Sequence, residues 1–183
     1  MKTYIFALGL LLLTSCKSSD FKKDFICNNT SSYSNLKTNT DFKNSFSVDF
    51  PKHWKVNLYY DNGQSSIYAA DTTIGLTQST LLDVSLIQSP ISIDNSFIQK
   101  ISTDNSNLKL KEVKGKLFDH YGNASYYSLA NGKKGKYNYH ILNLFSKINE
   151  ASFLHVKTEI YGDSLVDERI CKAIKLIDEI QLK

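Results

Sequence analysis

Phe46-Ser47-Val48-Asp49-Phe50-Pro51-Lys52-His53-Trp54-Lys55-Val56 is the stretch on which the fold turns. Phe46, Val48 and Phe50 alternate with Ser47 and Asp49, the two-residue period of a half-buried strand. Pro51 ends it, because proline has no N–H to give to a ladder. Trp54, Val56, Leu58 and Tyr60 then alternate with Lys55, Asn57 and Tyr59, which predicts a second strand. Asp61-Asn62-Gly63 follows. Asn-Gly tolerates positive φ at both positions, so it predicts a hairpin returning through residues 66–71.

Toward the C-terminus the strand period persists. Leu82, Val84 and Leu86 alternate with Asp83 and Ser85, and Pro90 closes that strand. Asp94 is placed to cap a short helix through Phe97, Ile98 and Ile101, with Ile93 and Ile98 at the spacing of a hydrophobic staple. Residues 108–118, 121–130, 136–146 and 151–160 read as four strands. Asp119-His120, Asn131-Gly132 and Asn149-Glu150 sit between them, which predicts an antiparallel meander. Lys109, Lys111, Lys114 and Lys116 mark its first strand as a charge-protected edge.

A tight turn at 148–151 would set Phe145 opposite Leu154 and Tyr139 opposite Ile160. His155 would then face Leu144 and His140 would face Glu159, both on the second side of the sheet. Ser164 and Asp167 have capping-box spacing. Val166, Ile170, Ala173, Ile174, Ile177 and Ile180 recur every three or four residues, the stripe of a C-terminal amphipathic helix.

Toward the N-terminus, Lys2 precedes the apolar run Ile5-Phe6-Ala7-Leu8-Gly9-Leu10-Leu11-Leu12-Leu13, and Leu13-Thr14-Ser15-Cys16 follows. The run is too short for a stable membrane span and reads as an export signal. Residues 1–16 resemble a bacterial lipoprotein signal peptide. That resemblance implies cleavage before Cys16 and acylation of Cys16, with attachment to a membrane of the bacterial cell envelope, the outer membrane being favoured over the inner. Residues 17–20 and 28–35 are polar and without periodicity, while Phe21, Phe25 and Ile26 interrupt the polarity and offer one side chain for local docking. Residues 17–45 predict a flexible tether that reaches about 25–30 Å, with one compact domain over 46–183.

The chain has 183 residues, is 42% hydrophobic and 22% charged, and carries a net charge of +4, which suits a packed globular domain. The charge is too mild, and export too contrary, for a nucleic-acid partner. With Cys16 assigned to lipid, Cys27 and Cys171 remain. They are either a bridge from the start of the mature chain to the C-terminal helix or two unpaired thiols. The bridge is preferred, because a free exposed thiol is a liability in an oxidising envelope.

Catalytic motifs are missing from the sequence: there is no Gly-x-Ser-x-Gly, no phosphate-binding glycine loop and no His-Glu-x-x-His. His53, His120, His140 and His155 are scattered without metal-ligand spacing, so no metal, cofactor or catalytic residue is assigned. Cys171 as a nucleophile would define a thiol-active enzyme or an envelope hydrolase, but a helical cysteine without a sequence-adjacent histidine is usually packing. Eleven tyrosines, with Tyr59-Tyr60 and Tyr126-Tyr127 as the best pairs, raise a ligand or glycan carrier, although each pair gives one ring to a given sheet face. The Lys133-Lys134-Gly135-Lys136 turn is a solvated hairpin tip or a contact for an acidic partner.

The aromatic-led strand, Pro51, two residues, Trp54 and a second strand resemble the opening of PsbP-like domains. The later order of strands, central helix, meander and terminal helix is similar to theirs over residues 46–183. The resemblance implies an α+β fold, an α/β/α sandwich around a central antiparallel sheet. Proteins of that fold include extrinsic photosystem II subunits, a Ran-binding import factor and envelope lipoproteins. They mostly bind other proteins or surfaces without catalysis, which implies a non-catalytic binding or accessory module with an envelope protein as partner.

Overall fold

The computed structural model describes residues 20–27, 30–120 and 122–183. The elements run α1 (Asp20–Asp24), β1 (Leu36–Thr40), β2 (Phe46–Pro51), β3 (Lys55–Tyr60), β4 (Gln64–Ala70), β5 (Thr80–Ile87), α2 (Asn95–Asn107), β6 (Lys111–His120), β7 (Asn123–Lys134), β8 (Tyr137–Asn149), β9 (Ser152–Tyr161), α3 (Val166–Ile177) and β10 (Gln181–Leu182). Seven strands form one antiparallel sheet in the order β3-β4-β5-β9-β8-β7-β6, and β1-β2-β10 form a second, three-stranded sheet. Helices α1 and α3 lie on one side of the large sheet and α2 on the other, the α+β sandwich that the PsbP resemblance implies.

The main core follows from the two periodicities. Ile67, Leu82, Val84, Leu142, Leu144, Leu154, Val156 and Ile160 point to one side of the large sheet. The α3 stripe Ile170, Ala173, Ile174 and Ile177 closes over them, with Phe46, Val48 and Phe50 of β2 alongside. Each such aliphatic side chain contributes about 1.5–3 kcal/mol by leaving water. Trp54 explains the signature stretch: its amide donates to the Pro51 carbonyl at 2.9 Å, and its ring stacks on Phe50 at 5.9 Å and meets Tyr33 edge-on at 5.2 Å. The Pro51 turn thus folds Trp54 back into the core.

Several expectations are corrected. The strand pair β8–β9 sets Phe145 opposite His155 and Tyr139 opposite Tyr161, one residue away from the predicted register. The pairing shifts between Lys147 and Asn149, where Ile148 is the extra residue of a bulge. One residue of slip exchanges the faces of a strand, so His140 and His155 lie on opposite sides of the sheet. The hairpin at Asp61 forms without positive φ at Asn62 or Gly63. Instead the Asp61 carboxylate accepts from the amides of Gly63 and Gln64 at 2.7 and 2.8 Å.

The Ser164–Asp167 capping box is absent. Leu165 precedes α3 at φ 51°, and the Ser164 carbonyl accepts from Arg169 at 3.1 Å. The Arg169 guanidinium also donates to the carbonyls of Thr77, Tyr161 and Ser79, tying the loop before β5 to the end of β9.

The largest correction concerns residues 17–45. From Asp20 onward the described residues of this segment are folded, not a flexible tether. Phe21 is fully buried, stacked on Phe118 at 5.4 Å and against Tyr127 at 5.2 Å. Lys22 pairs with Asp178 at 2.6 Å, and Asp24 accepts from Lys116 at 3.0 Å and from the Tyr127 hydroxyl at 3.1 Å. Strand β1 pairs along β2. Cys27 and Cys171 are joined by a disulfide, with Cα atoms 5.2 Å apart and a sequence separation of 144.

Closing so long a loop in the unfolded chain restricts it strongly, and the chain-entropy account puts the stabilisation at about 2–5 kcal/mol. Removing both thiols in a Cys27→Ser/Cys171→Ser chain is therefore expected to lower unfolding free energy by that amount in urea titration. The unreduced wild-type chain is expected to show no thiol reactivity at these positions in denaturant. Two reactive thiols there, or an unchanged midpoint, contradicts the clamp.

Candidate interaction face

The side of the large sheet away from α3 is only partly covered. α2 sits over β6, β7 and β8. Asp94 caps it, accepting from the amides of Ser96 and Phe97 at 2.9 and 3.1 Å. Ile93 and Ile98 both pack with Ile101, Tyr126 and Phe145, the staple read from the sequence. The helix runs on through Asn107, beyond the predicted short unit. Its last turn is anchored by buried Asn105, which donates to the Ser128 hydroxyl at 3.1 Å.

From Phe145 under α2 outward, the register lines up polar and aromatic side chains in rows across four strands. Ser66, Ser85, His155 and Phe145 are successive partners in one row, and Tyr68, Asp83, Lys157 and Asn143 in the next. Adjacent rows continue to Glu159, Tyr139 and Tyr161. These positions sit on strands whose reverse faces are the main core, so their backbone is held rigidly.

The interactions within the rows decide what chemistry they support. His155 stacks flat on Phe145 at 4.4 Å, and its Nε2 lies 3.0 Å from the Asn143 side-chain oxygen. Burial disfavours the imidazolium and outweighs the attraction of Asp83, so the pKa falls to about 4 and the ring is neutral at pH 7. Ser85 lies opposite His155, but its hydroxyl meets Ser66 at 2.8 Å and Asp83 at 3.1 Å. Lys157 pairs with Asp83 at 3.4 Å.

Burial pushes the Glu159 carboxyl up, but the Tyr139 hydroxyl and Lys134, at 3.0 Å, outweigh it and hold its pKa below the usual range. Burial and then the Glu159 contact push the Tyr139 phenol up. The Lys134 ammonium also lies over the rings of Tyr139 and Tyr161 at 4.8 and 5.4 Å. Acid is paired with base and hydroxyl with acceptor. Phe145, Tyr139 and Asn143 are buried, and the polar groups of the rows are bonded to one another.

The other candidates are dispersed. His53 meets Asp71 at 3.1 Å, His140 meets Asp163 at 3.2 Å on the far side of the sheet, and His120 is buried near Asp178. Among the described residues, no group of three His, Cys, Asp or Glu side chains converges as a metal site. Cys171 is in the disulfide, not poised as a nucleophile. Tyr126 and Tyr127 point to opposite faces as expected, but both are buried, bonded to Glu112 and Asp24, and give no sugar platform. Tyr59 and Tyr60 are exposed, with Tyr60 stacked on Phe42 at 4.5 Å. The His155–Phe145 stack escaped sequence reading because it depends on the bulge at Ile148. Cys16 lies outside the described residues.

No known protein family matches the sequence, and no curated protein matches it. Solved structures do share the fold. The chain is similar to the cyanobacterial PsbP protein CyanoP of Synechocystis, at 12% identity and TM-score 0.60, over 83% of this chain and 95% of that one. It is similar to the Saccharomyces cerevisiae Ran-binding protein Mog1p, at 8% identity and TM-score 0.56, over 81% and 95%. A Bacteroides thetaiotaomicron protein matches at 13% identity and TM-score 0.52, over 81% of this chain and 49% of that one. The chain therefore has the PsbP/Mog1-like fold.

The lowered pKa of His155 has a signed consequence. Between its unfolded value near 6.5 and its folded value of about 4, the unfolded chain binds the extra proton. The contribution is fully present above pH 6.5 and is lost as pH falls toward 4, by about 3 kcal/mol in all. Urea unfolding of the wild-type chain is expected to weaken from pH 7 to pH 5, while His155→Gln shows a markedly flatter dependence. Equal slopes contradict the assignment. The depressed carboxylates Asp41, Asp71 and Glu159 act in a lower window, below about pH 4.5.

Proposed function

We propose that this chain is a lipid-anchored protein of the bacterial cell envelope, whose PsbP-like domain is a non-catalytic binding or accessory module. The observation that carries the reading is the placement of Cys16. It ends the Leu13-Thr14-Ser15-Cys16 lipobox, and α1 begins four residues later at Asp20. At about 3.5 Å per extended residue, acyl chains on Cys16 would hold α1 within roughly 14 Å of the attachment point. The domain would then ride at the membrane surface, the outer membrane being favoured, instead of on a long leash.

Three further features support the reading. A Cys27–Cys171 bond suits an oxidising compartment. No helix among the described residues is long and apolar enough to cross a membrane, and the attachment proposed here is through acyl chains on Cys16. The paired side chains around His155 and Glu159 form a fixed recognition face, and a partner protein in the envelope is its proposed occupant. Mog1p, described as Ran-binding, shows the fold in a protein-binding role, which is analogy for this chain.

Labelling cells with a palmitate analogue tests the anchor. The wild-type protein is expected to take up label and to stay with membranes after a high-salt wash. Cys16→Ala is expected to lose both. A Cys16→Ala protein that remains labelled and membrane-bound overturns the proposal.

A further inference from the structure

The two sheets leave two strand edges facing one groove. β1 is an edge of the small sheet and β3 an edge of the large one, and among the described residues neither edge is paired on its open side. A groove of about 450 Å³ runs between them, lined by residues 37–40 of β1 and by Trp54, Val56 and Leu58. The ladders show which main-chain groups point into it. Asp41 donates to the Phe46 carbonyl and Lys52 to that of Asn35. By alternation, Lys37 and Asn39 bond toward β2, while Thr38 and Thr40 turn their N–H and C=O groups to the open edge. On β3, Asp61 donates to Gln64, so Asn57 and Tyr59 bond toward β4 while Val56 and Leu58 point outward. The outward-facing residues of both strands line the same groove.

Charge selects the occupant. Lys37 and Lys52 line the groove, no carboxylate does, and neither lysine makes an ion pair among the described residues. Val56 and Leu58 add apolar side chains to its wall. We infer that this groove receives an extended, acidic segment of a partner protein as an added β-strand, hydrogen-bonded to the open main-chain groups of β1 and β3 and held in register by Lys37 and Lys52. Strand addition of this kind draws affinity from main-chain bonds and selectivity from alternate side chains. The site deepens the binding-module reading but does not depend on the anchor, since a Cys16→Ala chain keeps every residue of the groove.

The probe is a fluorescent eight-residue peptide alternating Glu and Val, long enough to span either edge strand. Saturable binding to the purified full chain is expected, with amide shifts centred on Thr38, Thr40, Val56 and Leu58. Lys37→Glu/Lys52→Glu is expected to weaken binding at least tenfold. The same peptide N-methylated at alternate residues, tested on the unmutated chain, is expected to lose binding, because its side chains remain while its strand-pairing donors do not. No saturation by about 1 mM, equal binding of the methylated peptide, or shifts centred elsewhere each overturns the inference. Shifts of these four amides with protein concentration alone, without peptide, also overturn it and assign the groove to a second copy of the chain. Repeating the measurement with Cys16→Ala separates the two proposals, because loss of the anchor is expected to leave peptide affinity unchanged.

Discussion

The structure on the helical side of the sheet depends on one clamp, the fastening of the first folded residues to α3. Phe21 fills the space between Phe118 and Tyr127 at the β6–β7 end of the core, and Cys27 is bonded to Cys171 in the middle of α3. Lys22 reaches Asp178 just beyond the end of α3. These contacts join the two ends of the chain across the same layer.

The second constraint is the two-residue period of the strands. Every residue given to the core removes its neighbours to the other face, so the packing of Leu142, Leu144, Leu154 and Val156 under α3 simultaneously lays out Asn143, Phe145, His155 and Lys157 on the reverse. This reverse face is the complement of the core and inherits its rigidity. Its polar groups are mutually satisfied, which keeps a half-buried charged surface stable without a ligand. The lowered pKa of His155 keeps its stacked ring neutral near pH 7.

Local patterns carried much of the fold. The meander, the α3 stripe and the Asp94 cap are legible because each depends on residues close in sequence. The Pro51–Trp54 turn is legible because proline and tryptophan leave few local alternatives. What was missed is non-local. The bulge at Ile148 carries no glycine or proline to announce it, yet it decides which histidine lies on which face. β1 reads as irregular because its half-buried positions, Leu36, Asn39 and Thr40, show no apolar alternation. Phe21, Phe25 and Ile26 stand out of the polar segment as candidates for docking, but the folded segment they belong to is not legible because its stabilising partners, Tyr127, Cys171 and Asp178, are more than a hundred residues away. The groove between β1 and β3 follows from that same missed strand, so no sequence reading without β1 could reach it.

The segment before β2 belongs to the folded domain and ends in an edge whose outer main-chain groups are open. Residue-resolved amide hydrogen exchange on the full chain measures this directly. The account predicts slow exchange at Lys37, Asn39 and Asp41, which bond toward β2, and fast exchange at Thr38 and Thr40, which do not. Uniformly fast exchange across the described residues from Asp20 to Ser45 would contradict it and return the segment to a flexible tether.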